Sequence, residues 1–204
     1  MHEKLTLMLI IELNKIKHLP KPLKKKVSAD IKNIISKRKF FNQICIMGIL
    51  NMTPDSFSDG GKYNKTNKAS KRIKSMIKSG VDIIDIGGES TRPGSKIIST
   101  NNEWKRIKEI IKKFKKKYPK ILLSVDTRKS KIMLQSINLK ADIINDVSCF
   151  QFDQKSLDII KNANVFKVLH HMQGTPQTMQ KNPTYNNVLL DIYDFFESKI
   201  NNDF

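Results

Sequence analysis

Five short runs of nearly unbroken Ile, Val and Leu, each followed at its C-terminal side by a polar cluster, constrain this chain more than any other feature. The runs are Ile44–Leu50, Val81–Ile86, Ile121–Val125, Ala141–Ile144 and Val165–Leu169. Each is about one strand long. A strand with one wet face alternates polar and apolar residues, whereas a strand covered on both faces reads as a continuous apolar run, as in parallel sheets. Between the runs lie stretches with helical period. Ala69, Ile73, Met76 and Ile77 share one face, as do Trp104, Ile107, Ile111 and Phe114, and the last segment carries Leu189, Ile192, Tyr193, Phe196 and Ile200. Strand and helix therefore alternate five times, which implies a doubly wound open sheet or a (β/α)8 barrel.

The polar clusters favour the barrel. They are Asn51–Phe57, Gly87–Gly94, Asp126–Arg128, Asn145–Asp146 and His170–Gly174. All five sit where a strand hands over to the next helix, and in a barrel these loops together build the active site. The expected fold class is α/β, of the (β/α)8 TIM-barrel type. A complete barrel needs eight units in roughly 250 residues, so about five units are expected here. Residues 1–40 hold 11 Lys or Arg against 3 acidic residues, with Pro20 and Pro22 and no sustained period. They read as a poorly ordered basic extension, leaving residues 41–204 as one incomplete barrel domain.

Composition narrows the partners. The longest apolar runs, such as Leu5–Ile11, fall well short of the ~20 residues that span a bilayer, and that first run is followed by Glu12 without a small-residue cleavage site. Two cysteines, Cys45 and Cys149, suit reduced packing residues in a cytoplasmic protein. The net charge of +19 would ordinarily suggest nucleic acid. However, the basic residues are 33 Lys and only 5 Arg, accompanied by 28 Ile and 17 Asn, the signature of A/T-rich codons. Lys112, Lys113, Lys115, Lys116 and Lys117 fall on a helix face with no interleaved stacking aromatics. Neither nucleic acid nor membrane is expected as a partner.

Asn51 and Asp126, facing each other across a barrel mouth, would offer oxygen ligands to a hard cation such as Mg2+, which shares its shell with water and substrate phosphates. A single Asp or Asn at a strand end is more often a turn or helix cap. Carboxamides and carboxylates at successive strand ends weaken that reading. The glycine-rich stretch after the second run could present N–H groups to an anion. His170 and His171 lack the spacing of metal ligands on one face and read as pocket wall or packing residues.

The segments MGILNMTPDSFSDGG (Met47–Gly61), DIIDIGGESTRPGS (Asp82–Ser95), SVDTRK (Ser124–Lys129), IINDVS (Ile143–Ser148) and HMQGTPQTMQ (His171–Gln180) resemble, in order and spacing, the signatures of the dihydropteroate synthases. Pterin-binding methyltransferases share the barrel, but TPDSFSDGG and STRPG together look like the synthase. The resemblance implies a transferase of folate biosynthesis, which condenses a dihydropterin methyl diphosphate with p-aminobenzoate and releases pyrophosphate. It implies Mg2+ at Asn51, and a mobile loop Thr53–Gly61 in which Asp59 helps hold the metal-bound pyrophosphate and the developing cation. Phe57 and Pro93 would flank p-aminobenzoate, with Arg92 beside them. Thr91 would contact the pterin, Asp126 and Asn145 would hydrogen-bond its ring, and Met172 would line the pocket. Asp59 and Asp126 are thus the expected catalytic residues. The family's homodimer and three further βα units, with their pterin and pyrophosphate contacts, are also implied; the sequence lacks segments resembling the latter. A pterin-binding fragment without turnover and a pterin-binding methyltransferase are the alternatives.

Overall fold

The computed structural model describes residues 45–53, 62–90, 95–175, 178–179 and 182–204. The basic extension expected at 1–40 lies outside these residues, as do Phe57, Asp59, Thr91, Arg92 and Pro93. Five parallel strands, β1 (Met47–Asn51), β2 (Ile83–Gly87), β3 (Leu122–Asp126), β4 (Ile143–Asp146) and β5 (Phe166–Leu169), form one sheet in the order of the sequence. The helices are α1 (Lys62–Lys78), α2 (Thr100–Lys117), α3 (Ser130–Asn138), α4 (Ser156–Lys161) and α5 (Val188–Asp203). A doubly wound sheet reverses its strand order at a switch point. Here the order never reverses, so the connecting helices collect on one face, as in the wall of a barrel.

The pleat sorts the strand residues into two sets. Leu50, Ile84, Ile86, Leu123, Val125 and Ile144 join Ile73, Ile107, Ile110, Ile111, Phe114 and Ile132 of the helices in one buried cluster. Each such side chain contributes about 1.5–3 kcal/mol on burial, which makes this layer the main source of stability. The residues of opposite parity line the other face in rungs, of which the two nearest the C-terminal ends bear on the site. The lower rung runs Ile49, Asp85, Ser124, Ile143. The upper rung runs Asn51, Gly87, Asp126, Asn145, Val168. Ile49, on edge strand β1, is 64% exposed.

The starts of β2 and β4 are built alike. Helix α1 ends through Gly80 at φ 88°, with the Val81 N–H donating to Met76 O at 3.2 Å; α3 ends through Lys140 at φ 66°, with Ala141 donating to Ser136 O at 2.9 Å. These are six-to-one closures that need a left-handed residue. Asp82 and Asp142 follow, and each accepts the N–H that begins a neighbouring strand stretch, from Ile46 and from Leu123, both at 2.8 Å. The recurring x-Asp-Ile-Ile sequence thus serves one structural purpose at two places.

Candidate functional site

The upper rung brings three expected site residues into register. Asn51 pairs with Gly87, Gly87 with Asp126, and Asp126 with Asn145. Parallel partners point the same way, so the three polar side chains stand on one face at the C-terminal ends of β1, β3 and β4. Asn51 and Asp126 do not face each other across a mouth; they flank Gly87 on the strand between them. A Cβ placed on Gly87 would lie 3.3 Å from Asp126 Oδ2 and 3.4 Å from Asn51 Oδ1. The two oxygens therefore share a space that exists because residue 87 has no side chain. Met172, beyond β5, is partly buried, and no hydrogen bond joins it to the rung.

Charge in this row is unbalanced. Burial first, and then the negative charges of Asp85, Asp146, Glu103 and Glu89, push the Asp126 carboxyl up to about 8. Asp146 is raised to about 6 by burial, opposed by hydrogen bonds from the Ser148 hydroxyl and N–H and from the Phe150 N–H. Asn145 donates through Nδ2 to Asp85 Oδ2 at 3.2 Å, and its Oδ1 lies 2.7 Å from His170 Nε2. Burial lowers the His170 pKa, with Asp85 opposing. The neighbouring His171 turns away into an aromatic cluster, edge-on to Phe195 at 4.9 Å and near Tyr185 at 5.8 Å. His171 is the packing residue that the sequence suggested, whereas His170 belongs to the polar row.

Directly behind the row lies a second polar cluster, which joins Glu89, Thr127, Arg128 and Lys129 of the strand-end segments to Glu103, a residue the sequence did not single out. Lys129 Nζ donates to Glu89 Oε1 at 2.9 Å and to Glu103 Oε2. Arg128 Nε donates to Glu89 Oε2 at 3.0 Å, and the Thr127 hydroxyl donates to Glu103 Oε1 at 2.7 Å. The Ile98 N–H adds a bond to Glu89 Oε1 at 2.9 Å. All of these charged residues are buried. Burial alone would raise the Glu89 pKa, but the Ile98 N–H, Lys129 and Arg128 outweigh it and hold the carboxyl below its ordinary value. Arg128 also stacks on the Phe152 ring at 4.1 Å. Gly88 lets α2 approach closely enough to take part, since a Cβ there would lie 2.9 Å from Glu103 Cγ and 3.0 Å from Glu103 O. One signal was available: Glu103 stands four and eight residues before Ile107 and Ile111, on the apolar stripe of α2, where a carboxylate needs a buried partner.

Residues 47–202 match the family described as pterin binding enzyme. The chain belongs to this pterin-binding family. The dihydropteroate synthase of Haemophilus influenzae is 38% identical over 156 residues, covering 76% of this chain and 56% of that protein. A crystal structure of dihydropteroate synthase from Clostridium difficile, in the presence of pteroic acid, superimposes with a TM-score of 0.71 at 35% identity, covering 80% of this chain and 59% of that one. A Xanthomonas albilineans dihydropteroate synthase with 4-aminobenzoic acid gives 0.70 at 34% identity, covering 78% and 55%. This member of the pterin-binding family thus spans a little over half the length of these relatives, and its residues 47–202, which match the family, include the whole upper rung. No helix of the described residues is long and apolar enough to cross a membrane.

Proposed function

We propose that this chain carries the pterin-facing and metal-facing half of a dihydropteroate synthase site. The reaction joins a dihydropterin methyl diphosphate to p-aminobenzoate: the aromatic amine forms the new C–N bond at the methylene carbon, and the C–O bond to pyrophosphate breaks. The observation that carries this reading is the aligned rung of Asn51, Gly87, Asp126 and Asn145, with two side-chain oxygens bracketing Gly87. Its donors fit Mg2+ in kind, because this ion takes hard oxygen ligands from one or two side chains and the rest from water and substrate phosphates. Asn51 would hold it, with Asp126 alongside. The described residues contain no group of three or more His, Cys, Asp or Glu able to cage a metal. When bound, Mg2+ would neutralise charge developing on the departing pyrophosphate.

Asp126 and Asn145 would grip the pterin ring, with Met172 against it. Asp126, kept from full ionisation by burial and then by its acidic neighbours, is suited to accept a ring N–H, and a cationic pterin would in addition supply the positive charge that the row lacks. Phe57, Asp59, Thr91, Arg92 and Pro93 are proposed for the p-aminobenzoate and pyrophosphate contacts on the strength of their motifs. The test combines pyrophosphate release, assayed with both substrates and Mg2+, with a calorimetric titration of the chain by 6-hydroxymethylpterin. Turnover supports the full reading; binding without turnover reduces it to a pterin-binding module; absence of both contradicts it.

A further inference from the structure

We propose that His170 is a positioning residue that locks the orientation of the Asn145 carboxamide, so that the site selects a flat heterocycle edge carrying a hydrogen-bond donor beside an acceptor. This rests on the pterin reading above and deepens it.

The two ends of an Asn side chain have nearly the same shape but opposite polarity, and a half-turn about the last torsion exchanges them. A free carboxamide at a strand end would therefore present either pattern to a ligand. Asn145 is keyed at both ends. Its Nδ2 stands 3.2 Å from Asp85 Oδ2, and its Oδ1 stands 2.7 Å from His170 Nε2. As a carboxylate, Asp85 only accepts hydrogen bonds, so it fixes which end is the amide nitrogen. The Asn145 oxygen must then accept from His170, which requires the imidazole to carry a proton on Nε2. The flipped amide would place an oxygen against the Asp85 carboxylate, 4% exposed at its residue and poorly placed for water to relieve the repulsion.

Each end of Asn145 keeps one valence after these bonds: one N–H on Nδ2 and one lone pair on Oδ1. Side by side, they match a lactam or amidine edge and mismatch an edge with two donors or two acceptors. The three residues come from β2, β4 and the residue following β5, so the orientation is set by the sheet register rather than by a loop. Val168 is the rung partner of Asn145, and His170, two residues on, has the same strand parity.

Two measurements on the full chain test this. In the imidazole 15N spectrum at pH 7.5, His170, assigned by its loss in His170→Leu, should show the neutral tautomer protonated on Nε2. An Nδ1-protonated tautomer would overturn the proposal. In calorimetric titration with 6-hydroxymethylpterin, His170→Leu should weaken binding at least tenfold. His170→Gln, which can still donate to Asn145, should remain within about threefold of wild type, and His170→Leu should cause no further loss in an Asn145→Leu background. Unchanged affinity in His170→Leu would overturn the positioning role while leaving the pterin reading intact. No binding by wild type would remove the pterin reading, and the tautomer would still decide the orientation.

Discussion

Asp126 and the adjacent Arg128 and Lys129 belong to two clusters of charge with opposite designs. Behind the sheet ends, Glu89 and Glu103 are matched by Arg128 and Lys129, and the Thr127 hydroxyl and Ile98 N–H take up further carboxylate lone pairs. Along the upper rung, Asp126 has no cation partner among the described residues, and burial, with its acidic neighbours adding to it, pushes its pKa up to about 8. A balanced buried network holds a unique geometry and is costly to break at one member. An unbalanced row costs stability in the free protein and is retained where a ligand relieves it. The first cluster joins the loop after β2, α2 and the loop after β3. The second is what that frame holds ready.

The largest effect expected from breaking this contrast is that of Lys129→Met. It strips a shared cation from both Glu89 and Glu103 and should cost about 3–5 kcal/mol, as for other buried pairs reduced to one partner. Urea unfolding of the chain measures it, and a loss below about 1 kcal/mol would place the network outside the fold's supports.

Asp126→Asn should act in the opposite direction. The folded chain retains a proton on Asp126 that the unfolded chain releases near its ordinary value of 3.8. This contribution to stability is therefore fully present below about pH 4 and is lost as the pH rises toward about 8. The substitution should flatten this decline and raise stability at pH 8 by at least about 1.4 kcal/mol, the worth of a single pKa unit, while removing pterin binding. Thermal unfolding at several pH values checks the first half, and calorimetry the second.

Gly87→Ala sharpens the geometric side of the comparison. Its Cβ would enter the space bounded by Asp126 Oδ2 and Asn51 Oδ1, so pterin or Mg2+ binding should weaken at least tenfold while stability changes by about 1 kcal/mol or less. Lys140→Gly, in the turn that closes α3, replaces a residue at φ 66°. A gain of about 0.5 kcal/mol, with binding unchanged, would separate ordinary backbone strain from the effects of charge.

The alternation of strand and helix, and the gathering of polar residues at one end, could be read from the sequence because both depend on local periodicity. Apart from Leu169, which ends both the fifth run and β5, the strand limits were displaced by one to three residues for a physical reason. Val81 and Ala141 are apolar and so read as strand, yet they help close the preceding helices against the core. Asn51, Gly87 and Asp126 looked like loop residues, yet they are the last residues of their strands. Placing them inside the sheet gives them a fixed register, which a loop would not. Helices α3 and α4, of 9 and 6 residues, are too short for their periodicity to stand out. Glu89, Arg128 and Lys129 stood in or beside the polar clusters at the strand ends, but nothing in the sequence paired them with one another or with Glu103. Their partners lie 26 to 40 residues away, a distance that no local pattern encodes. His170 read only as pocket wall or packing, because its hydrogen bond with Asn145 depends on β4 standing beside β5.

The most direct test of the central claim, that the upper rung is a pterin site, is calorimetric titration of the chain with 6-hydroxymethylpterin, repeated with Asp126→Asn and Asn145→Leu. Saturable binding at one site in wild type, lost in both folded variants, is the expected result. Absence of saturable binding in wild type, or equal binding in all three, would contradict it.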